Sequence, residues 1–187
     1  MKPRASSQRA PLPCRAPSFR GFKPSSPASS RAKKANRGRD TAHEIELKAA
    51  LRRLKMRFEA HRSDLLGRPD VVFPKERVAV FCDGDFWHGR NWPELKQALL
   101  RRANPAYWVA KIEANRSRDA RICRALRQQG WLVIRLWETE IRKDPELAAS
   151  FLKKRLEDVR TRRGPRQPGQ SRAPRKGTAA SKIPPAR

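Results

Sequence analysis

Residues 66–90, LGRPDVVFPKERVAVFCDGDFWHGR, constrain the fold more than any other part of this sequence. Val71–Phe73 suits a short strand, and residues 74–77 carry the proline and charged residues of a turn. Residues 78–82 form a near-continuous apolar run, which predicts a central strand buried on both faces. The chain leaves this strand into a tip that holds carboxylates, aromatic rings and an imidazole: Asp83, Asp85, Phe86, Trp87 and His88.

The other elements follow from periodicity and turn residues. Thr41 and Glu44 have the spacing of a capping box, and an apolar stripe that includes Ile45 predicts a helix after them. The helix at 106–129 is either long or broken near Asn115. The predicted order is α, β, β, β, α, α, β, α, which favours an α/β sandwich of two or three layers with about four strands. The elements are predicted at residues 41–54, 56–60, 71–73, 78–82, 93–102, 106–129, 131–137 and 145–159.

The formal net charge of +27 is concentrated at the two ends of the 187-residue chain. Residues 1–39 hold 11 Lys and Arg, residues 160–187 hold nine, and neither segment has an acidic residue. The same segments hold 11 of the 16 prolines and none of the five Trp. Such segments bury too little apolar surface to offset the entropy cost of ordering. We therefore predict disordered basic tails at 1–38 and 161–187 around one folded domain at 39–160.

This charge favours a polyanionic partner, because each Lys or Arg that meets a phosphate releases condensed counterions. Tails that serve solubility, or a proteome rich in arginine, are the alternative explanation. No apolar run approaches the roughly 18 residues of a membrane span, so none is expected. The N-terminus lacks the apolar core of a secretory signal, while its Arg and Ser content leaves an organellar transit peptide open. The scattered Cys14, Cys82 and Cys123 exclude a disulfide framework, and a reducing cytoplasm is expected.

The residue types around the hairpin suit phosphodiester hydrolysis, which needs a cation, an activated water and a shaped site. Magnesium prefers oxygen ligands and usually takes one or two protein carboxylates. Asp70 precedes one strand and Asp83 ends the next, so a hairpin brings them near each other, and Glu44 can complete an acidic cluster. The imidazole of His88 is within reach of the same tip and can act as a general base or acid near neutral pH.

Each of these residues also has a purely structural explanation. Glu44 can close a capping box with Thr41, Asp70 can cap a turn, and Asp83 precedes a glycine in a common turn dipeptide. A lone histidine such as His88 is more often packed or solvated than catalytic, and aromatic residues are more often part of a core. Their convergence on one hairpin tip in a strongly basic chain favours the functional interpretation.

A family resemblance rests on five segments in a fixed order. They are DTAHE at 40–44, GRPD at 67–70, VFCDGDFWH at 80–88, YWVAKIEAN at 107–115 with Arg118 and Asp119, and GWLVIRLWE at 130–138. Together they resemble the successive motifs of the very short patch repair (Vsr) endonucleases, over about residues 39–142. The resemblance implies a fold similar to the PD-(D/E)XK nucleases, a restriction-endonuclease-like three-layer α/β sandwich with a small central mixed sheet.

The resemblance also implies an activity. These enzymes bind a T:G mismatch, left when 5-methylcytosine deaminates, and use Mg²⁺ to nick the strand on the 5′ side of the T. The implied partner is double-stranded DNA with a mismatch, in the setting of a cytosine-5 DNA methyltransferase system and mismatch-repair proteins. A monomer in the bacterial cytoplasm, associated with the nucleoid, is the expectation that follows.

The resemblance assigns the hydrolytic residues one by one. Asp70 matches the metal-binding aspartate, the backbone carbonyl of Cys82 is a further metal ligand, and Asp83 holds a position that touches the hydrated metal. His88 matches the histidine that activates water, and Glu44 matches a helix glutamate that orients metal-bound water.

The remaining assignments concern support and DNA contact. Asp119 matches a carboxylate behind the site. Phe86, Trp87 and Trp108 match aromatic residues that wedge beside the mismatch, where stacking offsets the cost of opening the duplex. Further DNA contacts are expected at Lys111, Asn115 and Arg116.

The sequence departs from the family at two places. Family members carry a structural zinc held by Cys and His near the aromatic tip, and those positions are Asp85, Arg90, Trp92 and Thr139 here. Because a structural zinc needs Cys and His ligands, we predict none, with Trp92 filling the space by packing. The family's S-x-N-M helix is also missing, since residues 29–38 have the sequence SSRAKKANRG. The basic N-terminal tail is expected to supply the grip on DNA instead.

The sequence therefore predicts a Mg²⁺-dependent endonuclease that nicks duplex DNA at a mismatch, T:G above others. The first alternative is a nuclease of the same fold that cuts a defined sequence, as in a restriction system. The second is a DNA-binding protein whose nuclease site has decayed, against which the presence of Asp70, Asp83 and His88 argues.

Overall fold

A computed structural model describes residues 40–163, which form five helices and four strands. The N-terminal tail predicted at 1–38 lies outside the described residues, as does the C-terminal tail from residue 164 onward. The elements are α1 Ala42–Arg53, β1 Glu59–Ala60, β2 Val71–Phe73, β3 Val78–Asp83, α2 Trp92–Leu100, α3 Pro105–Gln128, β4 Leu132–Trp137, α4 Glu138–Lys143 and α5 Pro145–Arg163.

The four strands form one mixed sheet in the order β1-β2-β3-β4. The first three strands are antiparallel neighbours, and β4 runs parallel to β3 after the crossover through α2 and α3. The parallel register sets Phe81 beside Arg135 and Asp83 beside Trp137. Since all six residues of β3 are buried, the apolar run does form the central strand that the sequence predicts.

Alternate residues of the strands point to opposite faces of the sheet, and they pack into two separate hydrophobic cores, one on each face. On one face, Phe73, Val78 and Val80 pack with Leu51 of α1 and Leu152 of α5. The other face is covered by α3, and its buried cluster comprises Leu65, Val72, Ala79, Phe81, Cys123, Leu126 and Val133. Helices on both faces of a small mixed sheet confirm the predicted fold class, a three-layer α/β sandwich.

Of the two alternatives for the helix predicted at 106–129, the long one is correct: α3 has 24 residues and continues past Asn115 without a break. Other element predictions were wrong in detail. The short helix α4 was not predicted, since among its six residues the apolar side chain is Ile141, too little for a periodic signal. The strand predicted at 56–60 is confined to Glu59–Ala60, because β2 offers it a pairing edge of only two residues. The helix α5 continues to Arg163, past the predicted domain end at residue 160.

The stripe predicted for α1 was also wrong at one position. Ile45 is 53% exposed, although it was expected in the core. The buried face of α1 includes the polar residues His43, Glu44 and Lys48 as well as Leu47 and Leu51. These polar side chains have hydrogen-bond partners inside the fold, which is what allows them to be buried.

Two further sequence expectations concern membranes and cysteines. None of the helices formed by residues 40–163 is long and apolar enough to cross a membrane. Cys82 and Cys123 are both free and buried. Cys14 lies outside the described residues.

Candidate active site

A cleft of about 1150 Å³ opens at the edge of the sheet where β3 and β4 end and β2 begins. Because β2 is antiparallel to β3, its first residues lie beside the last residues of β3, so the hairpin does bring Asp70 to the tip. Of the predicted site residues, the cleft is lined by Glu44, Asp70, Cys82, Trp87, His88, Lys111, Asn115 and Asp119. Residues more than 70 positions apart in the chain thus meet in one concave surface.

Asp70 is held by a backbone group rather than by a cation. Its Oδ2 accepts a hydrogen bond of 2.7 Å from the amide of Cys82. Burial, opposed by this hydrogen bond and helped by the negative charge of Glu44, raises the pKa of Asp70 to about 6. A carboxylate that is costly to keep charged gains most from a bound cation, which is the property expected of a metal ligand.

Glu44 is buried and uses both carboxylate oxygens. Its Oε1 accepts a hydrogen bond of 2.8 Å from the Thr41 hydroxyl, and its Oε2 accepts one of 3.1 Å from the backbone amide of Asp40. The Thr41 hydroxyl makes no capping bond to the helix backbone. The Thr41 and Glu44 pair is therefore a modified capping box, and it fixes Glu44 at the wall of the cleft. The capping role and the site role predicted for Glu44 are thus compatible.

A buried lysine joins this glutamate to two residues that the sequence did not single out. The ammonium of Lys48 lies 3.4 Å from Glu44 Oε2, 3.1 Å from Asp40 Oδ1 and 2.8 Å from His61 Nε2. The ligand atoms of Asp40, Glu44 and His61 lie within 4.8 Å of one another, a spacing suited to a cation. The ammonium of Lys48 contacts all three of these atoms and supplies that positive charge.

Cys82 presents its backbone to the cleft and its thiol to the core. Burial, with the charges of Asp70 and Glu44 adding to it, raises the pKa of the thiol well above its ordinary value. The thiol is therefore unreactive near neutral pH. The carbonyl oxygen lies 3.4 Å from Nε2 of His43, whose buried Nδ1 has no hydrogen-bond partner among the described residues.

His88 forms a short pair with Asp119 of α3. The distance between His88 Nδ1 and Asp119 Oδ2 is 2.6 Å. Burial would raise the pKa of Asp119, but the hydrogen bond from His88 and the charges of His88, Arg135 and Arg118 outweigh it and hold the pKa below its ordinary value. An ionised Asp119 accepts a hydrogen bond from the protonated Nδ1, and the neutral ring then carries its lone pair on Nε2.

Asp83 is not placed as an open metal ligand. Its side chain is 3% exposed, and Nε and Nη2 of Arg135 bind Asp83 Oδ2 and Oδ1, the second at 2.6 Å. Both oxygens of Asp83 are thus committed to one guanidinium in the bidentate arrangement that such pairs favour. The resemblance-based assignment of Asp83 to the metal overlooked Arg135, which lies 52 positions away in sequence.

The three aromatic residues of the tip form one cluster. Ring centroids are 5.1 Å apart for Phe86 and Trp87, 5.5 Å for Phe86 and Trp108, and 6.1 Å for Trp87 and Trp108. All three side chains are half-buried, and Trp87 also lines the cleft. The cluster is therefore packed internally while one of its members faces the space beside Asp70 and His88.

Two of the residues expected to contact DNA also support the turn at 84–91. Asn115 is buried and donates a hydrogen bond of 2.9 Å to the carbonyl of Trp87. Arg116 donates one of 2.9 Å to the carbonyl of Gly89 and stacks over the ring of Trp92 at 5.5 Å. The DNA contacts of all three residues stay predictions: Lys111 and Asn115 line the cleft, and Arg116 is exposed.

Three comparisons with known proteins fit this geometry. The sequence profile of DNA mismatch endonuclease Vsr matches residues 25–94. The type II nicking enzyme V.NmeDIP of Neisseria meningitidis serogroup C is 34% identical over 124 residues, covering 66% of this chain and 82% of the relative. The DNA mismatch endonuclease Vsr of Escherichia coli K12 is 34% identical over 120 residues, covering 64% of this chain and 75% of the relative. The chain belongs to the Vsr DNA mismatch endonuclease family.

A further relative shows the range of activities named in this family. The type II nicking enzyme V.XorIIP of Xanthomonas oryzae pv. oryzae is 40% identical over 105 residues, covering 56% of this chain and 75% of the relative. As a member of the Vsr family the chain is a DNA endonuclease.

Asp85, Arg90 and Trp92, three of the four positions at which the resemblance placed the family's zinc site, form an ion pair and cation–π contacts. Arg90 lies 3.4 Å from Asp85 Oδ1 and donates a hydrogen bond of 2.9 Å to Glu140 of α4. Its guanidinium also stacks over Trp137 at 5.8 Å. These contacts link the aromatic turn to α4. The prediction that Trp92 packs into this region agrees with the cations of Lys96 and Arg116 over its ring.

Sequence reasoning missed several polar residues of this Vsr-family site: Asp40, His43, Lys48, His61 and Arg135. The Glu44 and Lys48 spacing of four on a predicted helix was a usable signal for the first cluster. An arginine in the middle of the apolar strand GWLVIRLW was a signal for the second, because a buried guanidinium requires a carboxylate partner.

Proposed function

We propose that this chain is a Mg²⁺-dependent endonuclease that nicks one strand of duplex DNA at a T:G mismatch. The observation that carries the proposal is the single cleft that Asp70, His88 and Trp87 line together. It combines a carboxylate with a raised pKa, a histidine oriented by a carboxylate, and an aromatic cluster at the rim. Those are the parts needed to bind a cation, activate water and hold an opened base pair.

The residues around Asp70 fit a magnesium ion. Among the described residues Asp70 Oδ1 accepts no hydrogen bond, while Oδ2 is fixed by the Cys82 amide, so one oxygen remains for a cation. In this proposal Asp70 and the Cys82 carbonyl would hold the ion, and Glu44 would orient water beside it. Bound there, Mg²⁺ would neutralise the charge that develops on the phosphate. Asp83, committed to Arg135, supports the site from behind.

His88 is the proposed general base. With its Nδ1–H donating a hydrogen bond to Asp119, Nε2 is free to take a proton from the attacking water. The ionised Asp119 stabilises the imidazolium that results. The proton of the attacking water ends on Nε2, and the leaving sugar oxygen takes a proton from solvent.

The aromatic cluster is the proposed mismatch reader. Opening a base pair costs a few kcal/mol, and less for a mismatched pair. Stacking of the opened base on a side chain such as Trp87 stabilises the opened state by about 1–3 kcal/mol per base. A wobble pair is therefore opened at lower net cost than a matched pair, which gives a physical basis for mismatch preference.

A second candidate, nicking at a defined sequence as part of a restriction system, is favoured by the names of several relatives as type II nicking enzymes. The discriminating experiment is a nicking assay with Mg²⁺ on three matched duplexes: one perfect, one with a single T:G pair and one with a single C:A pair. We expect a nick at the T of the T:G duplex alone. Equal nicking of the perfect duplex would select the sequence-specific alternative.

The decayed-site alternative is tested by Asp70→Ala. We expect cutting to fall at least about 100-fold because the metal loses its carboxylate, while DNA affinity changes little. Asp64→Ala is the matched control, since Asp64 is an exposed carboxylate in the loop before Asp70 and pairs with Arg62. Unchanged cutting by Asp70→Ala would show that the metal site is assigned to the wrong residue.

The proposed partners follow from the activity. Repair of deaminated 5-methylcytosine places the enzyme beside a cytosine-5 DNA methyltransferase system, with mismatch-repair proteins acting at the same lesions, in the cytoplasm of a bacterium. We expect the chain to act as a monomer, which sedimentation of the free protein and of its DNA complex would check.

A further inference from the structure

Arg135 occupies an unusual position for a charged residue. It lies in the parallel strand β4, paired with Phe81 of the central strand, and its guanidinium stacks over the Phe81 ring at 5.5 Å. Its side chain is 24% exposed. Burial in such surroundings is costly for a cation unless carboxylates compensate it. The contacts of the Arg135 guanidinium therefore indicate its role.

The guanidinium joins two carboxylates that both lie near His88. Its Nη2 lies 2.6 Å from Asp83 Oδ1 and 3.0 Å from Asp119 Oδ2. Nε completes the bidentate pair with Asp83, and Nη1 lies 3.7 Å from the sulfur of Cys123. Arg135 thus fixes the spacing between the end of β3, which carries Asp83, and the middle of α3, which carries Asp119.

His88 has two possible carboxylate partners in this arrangement. Its Nδ1 lies 2.6 Å from Asp119 Oδ2 and 3.6 Å from Asp83 Oδ1. Nη2 of Arg135 lies 3.1 Å from the same nitrogen. Since a guanidinium only donates, it does not share the Nδ1 proton. What it does is occupy both oxygens of Asp83, which leaves Asp119 as the acceptor for that proton.

We propose that Arg135 is a positioning residue: by neutralising Asp83 and bridging it to Asp119, it commits the Nδ1 proton of His88 to Asp119 and keeps Nε2 turned toward the cleft. This inference rests on the proposed role of His88 as the base. It assigns a task to the Asp83 and Arg135 pair that differs from metal binding.

The proposal separates Arg135 from a general stabilising role through two substitutions. Arg135→Leu leaves Asp83 unneutralised, so Asp83 competes with Asp119 for His88, and we expect kcat to fall about 10–100-fold with KM for DNA within about twofold of wild type. Asp83→Val combined with Arg135→Leu removes the competitor too. We expect the double variant to cut at least about fivefold faster than Arg135→Leu alone.

The direct readout is the protonation of the His88 ring, measured without DNA. The chain has only three histidines, so ¹⁵N-detected spectra at alkaline pH can be assigned with a His88→Gln sample. We expect the proton on Nδ1 in every variant, because both carboxylates face that nitrogen. The Nδ1–H chemical shift should change in Arg135→Leu, where the hydrogen bond divides between Asp119 and Asp83, and should return to the wild-type value in the double variant. Arg135→Lys should be intermediate, because an ammonium cannot engage both carboxylates as a fork does.

The matched control is Arg160→Leu. Arg160 pairs at 2.8 Å with buried Glu76, which precedes β3 at the end of the sheet opposite the cleft. The Arg160→Leu substitution removes an arginine–carboxylate pair without touching His88. The Nδ1–H shift of His88 and kcat should therefore stay as in the wild type. All rates are taken at a temperature where circular dichroism shows each variant folded.

Several outcomes would overturn the proposal. One is an unchanged Nδ1–H shift of His88 in Arg135→Leu, and another is a double variant as slow as the single one. A third is an equal loss from Arg135→Leu in the wild-type and His88→Ala backgrounds, since a residue acting through His88 loses its effect when His88 is absent. A wild-type chain that cuts no duplex would refute the proposed function instead, while the Nδ1–H shift would still test Arg135.

Discussion

Asp70 is the residue at which charge and environment conflict most in the cleft. Its pKa is raised to about 6 by burial, with Glu44 adding to the effect, from an ordinary value of 3.8. The raised pKa means that the folded state disfavours the charged form. The stability that Asp70 contributes is fully present below its unfolded pKa and is lost as the pH rises through the folded pKa of about 6. At neutral pH the metal-free folded protein is therefore destabilised by the cost of burying the charged carboxylate.

Replacing this carboxylate by an amide should therefore stabilise the metal-free protein. For Asp70→Asn we expect the free energy of unfolding at pH 7.5 to rise by about 1–3 kcal/mol, since each pKa unit is worth about 1.4 kcal/mol. The gain should shrink toward zero near pH 4. Denaturant unfolding at the two pH values measures it, with Asp64→Asn as the control that should show no gain. An equal change at both pH values would contradict the assigned cause.

His88 is the second residue whose role is testable in isolation. If its Nε2 takes the proton of the attacking water, His88→Ala should lower the nicking rate by about 10²–10⁴-fold. DNA affinity should stay nearly constant, because the imidazole acts on water rather than on the duplex. Single-turnover rates and binding isotherms for the same duplex separate the two effects. Weaker binding at an unchanged rate would assign His88 to recognition.

At the scale of elements, the turn at 84–91 depends on its neighbours for its shape. Asn115 and Arg116 of α3 donate to its carbonyls, and Arg90 reaches across to Glu140 of α4. Asn91 adopts a left-handed backbone conformation just before α2, a geometry that asparagine tolerates well. Side chains of α3 and α4 thus hold this turn in place.

This arrangement predicts how the turn responds to substitution and to chelators. We expect Arg90→Ala to lower the free energy of unfolding by about 1 kcal/mol, the scale of a half-exposed ion pair with a stacked cation. A zinc chelator should leave both stability and activity in magnesium unchanged. Arg53→Ala, which breaks the exposed ion pair with Glu146, is the control variant. We expect it to leave the nicking rate unchanged. One tightly bound zinc per purified chain would refute the prediction of no structural zinc.

At the scale of the whole molecule, charge is divided between the folded domain and the two ends of the chain. Residues 1–36 and 162–187 together hold 17 of the 45 Lys and Arg, with no acidic residue. Within the described domain, basic side chains also wall a second cavity of about 740 Å³ beside Asp83 and His88. Electrostatic attraction to DNA therefore has two sources that a truncation can separate.

Removing residues 1–36 and 162–187 should weaken DNA binding and flatten its dependence on salt. Each phosphate contact that is lost lowers the slope of log K against log salt by about 0.9, because fewer counterions are released. Binding isotherms at several salt concentrations measure the slope, and the nicking rate at saturating DNA is the control that should hold. An unchanged slope would mean that these segments do not contact DNA.

The sequence alone determined the framework of the site. An apolar run of five residues after a short strand and a turn can be buried only as a central strand, so its polar ends must meet at one edge of the sheet. That reasoning placed Asp70, His88 and Glu44 at one site, and the family resemblance added Asp119. Local patterns suffice here because strand pairing across a four-residue turn leaves little choice of register.

Which charges pair depends on the packing of separate elements against one another. Asp83 was assigned to a metal, yet the register of β4 against β3 brings Arg135 to it from 52 positions away. In the same way the packing of α1 beside the loop after β1 brings His61 to Lys48 and Glu44. Ion pairs depend on distances of a few ångströms between side chains on separate elements, and helix packing and strand register set those distances rather than any local pattern.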